Sequence, residues 1–186
     1  MIATVPIMLV AQAEPQWLAD ARGGYARFVA ALQVEPSATE LLRRWCEGRG
    51  LADPAEIHAV VDRDAVAPAS PEQRARLKVG ADEPVAYRRV RLMCGAHVLS
   101  EAENWYVPAR LNPEILALLT GDTPFGAAIR PLAPRRITIG TVRLWDGKAP
   151  IPQAILRQQA LVVDGAGHPL AEVRETYQRD LIADAG

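Results

Sequence analysis

Apolar and polar residues alternate along this chain in two distinct periods. Leu18, Tyr25, Phe28, Val29 and Leu32 recur at helical spacing across residues 15–32, with Gly23-Gly24 predicting a broken or two-piece helix. Ser37 and Glu40 form the signature of a capping box. Leu41, Leu42 and Trp45 continue the apolar face of a second helix, which should stop near Gly48 or Gly50. Residues 57–64 suit a strand. Ser70-Pro71 starts a short helix that ends before Gly80. A long hairpin follows, Val85–Cys94 returning through Gly95-Ala96 as His97–Val107. Asn112-Pro113 opens a helix through Leu119, and 121–126 form a rigid loop before another short helix. Arg135–Val142 is a further strand.

The chain closes on a hairpin from Arg157 to Ile182, two Val- and Leu-rich runs around Gly165-Ala166-Gly167. In its second run Ala171, Val173, Glu175 and Tyr177 share one face. Glu172, Arg174, Thr176 and Gln178 share the other, read as the wet one. Glu175 therefore falls among apolar neighbours, where a carboxylate needs a partner or a proton. Six strands, mostly joined as hairpins, with about four helices predict an α+β fold: an antiparallel sheet with helices over one face.

At 186 residues the expectation is a single domain, with 1–34 as an N-terminal segment and the core at 35–180. A net charge of −1 removes any electrostatic argument for nucleic acid or anionic membrane. Three scattered histidines and no Cys or His cluster argue against a metal site. Cys46 and Cys94, far apart and in different predicted elements, read as free buried thiols. The apolar run at residues 1–13 ends in Ala-Gln-Ala like a signal-peptidase site. It lacks a basic start and is short for a signal, so it reads as an apolar segment packed on a cytoplasmic domain. No stretch is long enough to span a membrane.

Four patterns together resemble the chorismate pyruvate-lyase family. They are Ser-Ala-Thr at 37–39, Arg-Val-Arg-Leu-Met-Cys at 89–94 with Tyr-Val-Pro at 106–108, Thr-Pro-Phe-Gly at 123–126 (Thr-Pro-Leu-Gly in the family), and Gly-His-Pro-Leu at 167–170 followed by Glu175. Ile-Gly and Leu-Trp within 139–145 also fit. The resemblance implies helical flaps over a buried ligand, no cofactor, a monomer, and elimination of pyruvate from chorismate to give 4-hydroxybenzoate for ubiquinone. It implies ligand contacts at Ala38, Arg89, Phe125 and Glu175, the first and third through backbone. Glu175 would be the general acid, with a raised pKa, and Arg89 would orient a carboxylate. The shared face of Ala86, Val90, Leu92 and Cys94 instead selects Arg88 as the ligand arginine, so both stay open. Two rival functions remain. One is a free-standing domain that binds a small aromatic acid, like the effector domains of GntR-type regulators; the other is a chorismate-using enzyme with a different product.

Overall fold

The computed structural model describes residues 14–183; the signal-like run at 1–13 lies outside them. Two helices come first, α1 (Gln16–Val34) and α2 (Ala38–Arg49). They precede β1 (Ile57–Asp62), α3 (Pro71–Leu77), β2 (Ala86–Cys94) and β3 (His97–Tyr106). Then come α4 (Pro113–Leu119), α5 (Phe125–Ala128), β4 (Arg135–Arg143), β5 (Ala154–Val163) and β6 (Pro169–Gln178). The strands form one antiparallel sheet in the order β1-β2-β3-β6-β5-β4. Two three-stranded meanders thus join at the centre through β3 and β6. This is the six-stranded α+β architecture that the periodicities predict.

Helix starts follow the caps read from sequence. The Ser70 hydroxyl accepts from Gln73 N–H and the Gln73 side chain accepts from Ser70 N–H, a full capping box. Asn112 accepts from Ile115 N–H at 2.8 Å. At α2 only half of the expected box forms. Ser37 Oγ accepts from Glu40 N–H, but the Glu40 carboxylate turns to Arg43, and Glu35 takes the Ser37 N–H instead. The Gly23-Gly24 pair does not break α1. Gly24 is buried against Ile182 of the C-terminal segment, where a Cβ would make only ordinary contact at 3.7 Å.

The inner face of the sheet carries two apolar clusters. One joins α1 and α2 to Val90, Leu92, Ala102, Leu156 and Tyr177. The other joins α4 and α5 to Val162, Ala171 and Val173. Helix α3 covers the opposite face, packing Leu77 against Trp105 and Val107. That face is therefore not uniformly wet. Glu172 is fully buried there and is held by Arg76 of α3 and by Gln159, while Gln178 is buried at the strand's end.

The cysteines form a disulfide, which corrects the expectation of free thiols. Residues 48 apart in sequence lie with Cα atoms 6.4 Å apart because α2 packs directly on the inner face of β2. Different elements are no bar to a bridge once the fold stacks them.

Candidate functional site

The two inner clusters leave a cleft at their seam, of about 490 Å³ with its open mouth included. Its floor is sheet: Val90 and Leu92 from β2, Ala102 and Asn104 from β3, Val173 and Glu175 from β6. Its rim is the start of α2, residues Ser37 to Thr39, opposite Phe125 and Gly126 of α5. The two helices meet closely. A Cβ on Gly126 would lie 2.9 Å from Thr39 Oγ1, so a side chain at residue 126 would have to displace the Thr39 hydroxyl.

Three of the four expected contact residues come together here: Ala38, Phe125 and Glu175 all line the cleft. Arg89 does not. It points to the outer face, half exposed, between Asp62 and Glu101. The alternation of β2 places Arg88 inward with Val90 and Leu92, so the sequence alternative is the one the register satisfies. Arg88 is 5% exposed. Its Nη2 donates to the Gly121 and Thr123 carbonyls at 2.9 and 3.1 Å, and it thereby holds the loop that leads into Phe125. Its Nε and Nη1 are buried without a hydrogen-bond partner. Burial pushes its pKa down from the usual arginine value. Among the described residues no carboxylate forms an ion pair with it. Arg88 is thus a buried cation beside the cleft: its cross-strand partner Asn104 lines the floor and donates to the Arg88 carbonyl.

Glu175 is not a free acid. Its Oε2 accepts from the Tyr177 hydroxyl at 2.8 Å and pairs with Arg136 at 2.7 Å. Arg136 also donates to Gln158 Oε1 at 3.0 Å. Burial alone would lower the Arg136 pKa, but the Glu175 carboxylate and Tyr177 more than offset it and raise it. Burial, reinforced by the Glu175 charge, drives the Tyr177 phenol well above its usual value. Tyr177 therefore serves as a hydrogen-bond donor rather than a titrating group.

Sequence reading assigned no role to Arg136. Every β4 residue except Arg136 is exposed, the apolar Ile137, Ile139 and Val142 among them, while Arg136 turns inward with its side chain 12% exposed. Apolar positions on this strand therefore mark no buried face. Only the register against Val162 of β5, a cleft residue, reveals the inward arginine.

The site is thus an apolar slot with one internally neutralised ion pair, flanked by one buried cation that has no acid partner. Such a slot suits a small ligand with an apolar body and a single acidic group.

This fold is shared with domains of known structure. The effector domain of PhnF from Mycobacterium smegmatis matches with a TM-score of 0.56 at 14% identity, over 78% of this chain and 90% of that one. The PhnF chain of the same organism matches equally well, over 80% of this chain and 66% of its own length. A GntR-family transcriptional regulator from Enterococcus faecalis V583 gives a TM-score of 0.45 at 13% identity, over 64% of this chain and 92% of that one. No protein-family model matches. The uncharacterized protein y4mC of Sinorhizobium fredii (strain NBRC 101917 / NGR234) is 38% identical over 173 residues, 82% of this chain and 73% of that protein. The chain belongs to the y4mC family. No helix of the described residues is long and apolar enough to cross a membrane.

Proposed function

We propose that this chain is a binding domain for a small organic monoacid with an apolar, planar body. The observation that carries the reading is Arg88, a buried guanidinium with two unpartnered nitrogens, next to an apolar cleft whose own Arg136 is already neutralised. A buried cation without a counter-ion is costly, by several kcal/mol, and a ligand carboxylate would remove that cost. The effector-domain fold of the PhnF neighbour supports a binding role, and the start of α2 at the rim offers main-chain N–H groups to the ligand's polar atoms.

Elimination of pyruvate from chorismate is a second, narrower proposal. It is favoured by Glu175, Ala38 and Phe125 lining one cleft. In that reaction the ether C–O bond breaks, the leaving enolpyruvyl group takes up a proton to become pyruvate, and the ring loses one to become aromatic. Both contacts of Glu175 fall on Oε2, so Oε1 is the oxygen that would handle the proton. The lyase reading requires the carboxylate to do this while bound to Arg136, and it brings two carboxylates to a site with one uncompensated cation. The binding reading requires neither.

One experiment separates them. The protein is incubated with chorismate, products are resolved by chromatography, and thermal unfolding is followed with 4-hydroxybenzoate and related monoacids. Protection by a monoacid without pyruvate release is the expected result. Stoichiometric 4-hydroxybenzoate and pyruvate would establish the lyase. Neither protection nor turnover with any planar monoacid would refute both.

A further inference from the structure

Three large exposed apolar side chains fall within the nine residues of β4: Ile137 at 52%, Ile139 at 39% and Val142 at 52%. Among the described residues strand β4 is the last of the sheet and pairs only with β5, which leaves its other edge as a row of main-chain donors and acceptors with no strand beside it. From Arg136 to Arg143 it reads Arg-Ile-Thr-Ile-Gly-Thr-Val-Arg, which is nearly the same backwards.

We propose that β4 pairs antiparallel with β4 of a second copy, about a twofold axis between Ile139 and Gly140, to make one continuous twelve-stranded sheet. The pairing places Ile137 opposite Val142 of the second copy and Thr138 opposite its Thr141. Residues that face each other across an antiparallel pair must lie on the same side of the sheet. Ile137 and Val142 are five apart, and in a regular strand they would lie on opposite sides. The bulge between Thr138 and Gly140 removes this conflict. Ile137 pairs with Leu161 and Val142 with Arg157, two outer positions; Thr138 pairs with Ala160 and Thr141 with Gln158, two inner ones. The irregularity that would spoil a simple edge is what makes this strand complementary to itself, as a twofold interface requires.

Arg136 would meet Arg143 of the second copy. Arg136 is neutralised by Glu175 within its own copy, so the exposed Arg143 would meet a paired charge rather than a free one. An eight-residue overlap makes a small interface, so the dimer should have a dissociation constant of about micromolar. This departs from the monomer expected above.

The test is sedimentation velocity of the whole chain from about 1 to about 200 μM, a range that brackets such a constant. Wild type should pass from monomer to dimer. Ile137→Lys with Val142→Lys sets like charges opposite each other twice, and should raise the dissociation constant at least about tenfold. Both positions face solvent in the monomer, so unfolding of that variant in dilute solution should match wild type. Ile137→Lys with Val142→Glu sets Lys opposite Glu twice and should restore the dimer. A monomeric wild type at the highest concentration, a dimeric double-lysine variant, or a Lys/Glu variant that stays monomeric would each overturn the proposal.

Discussion

Replacing Glu175 by Gln keeps an acceptor for the Tyr177 hydroxyl but removes the charge that balances Arg136. Both partners are nearly buried, with side chains 7% and 12% exposed, so the remaining guanidinium cannot find water without disturbing the floor. Breaking a buried pair from one side costs about 3–5 kcal/mol, because it leaves the other charge uncompensated. For a chain of this size about 1 kcal/mol moves Tm by roughly 2–4 °C, so Glu175→Gln should lower it by about 6–12 °C at the low end of that range. Arg136→Met should cost a similar amount by stranding Glu175. The double variant should be better than the sum of the two, since no charge is left unpaired. A coupling of at least about 2 kcal/mol is expected from urea unfolding of all four proteins. Singles that add in the double to within about 0.5 kcal/mol would show that the pair does not hold the floor together, and the picture of an internally neutralised slot would be wrong.

Other perturbations probe separate parts of the fold. Burial would raise the Glu172 pKa, but Arg76, Gln159 and Gln73 outweigh it and hold the carboxyl below its usual value. Its folded pKa is thus depressed, so the stabilisation is present above the unfolded carboxylate value of about 4.3 and fades as pH falls below it. Urea midpoints measured from neutral to acid pH should decline less steeply in Glu172→Gln than in wild type; equal slopes would exclude the pair. Reducing the Cys46–Cys94 bond, which closes a 48-residue separation, should cost about 2–4 kcal/mol in denaturant unfolding, whereas a Cys46→Ala protein should not respond to reductant. Gly126→Ala forces its Cβ against Thr39 and should weaken binding of any ligand that protects wild type. Thr39→Ser with Gly126→Ala keeps the hydroxyl clash and should not rescue it, while Thr39→Ala should.

The sheet was legible because its signals are local. Gly-rich turns and period-two runs place β2, β3, β5 and β6, and Ser70 and Asn112 mark helix starts through their own side chains. Ala38, Phe125 and Glu175 were legible through motifs around them and do meet at one cleft. Arg88 against Arg89 could not be settled by matching motifs without gaps; the alternation of β2 decides it, and that signal was already in the apolar positions 90, 92 and 94. Arg136 was hidden because β4 is an edge strand exposed at every position but this one, so its apolar residues mark no buried face. The disulfide was hidden because it depends on α2 stacking on β2, a tertiary fact with no trace in cysteine spacing. Burial of Glu172 needed α3 to cross to the far face, which its short amphipathic pattern does not announce.

The most direct test of the binding claim compares the two neighbouring arginines. Isothermal titration of wild type, Arg88→Met and Arg89→Met with the monoacid that best protects wild type separates inner from outer face. Arg88→Met should lose binding by at least about tenfold, the scale of one charge-assisted contact. Arg89→Met, outside and already paired with acids, should bind as wild type does. Binding that survives loss of Arg88, or vanishes with loss of Arg89, would contradict the account.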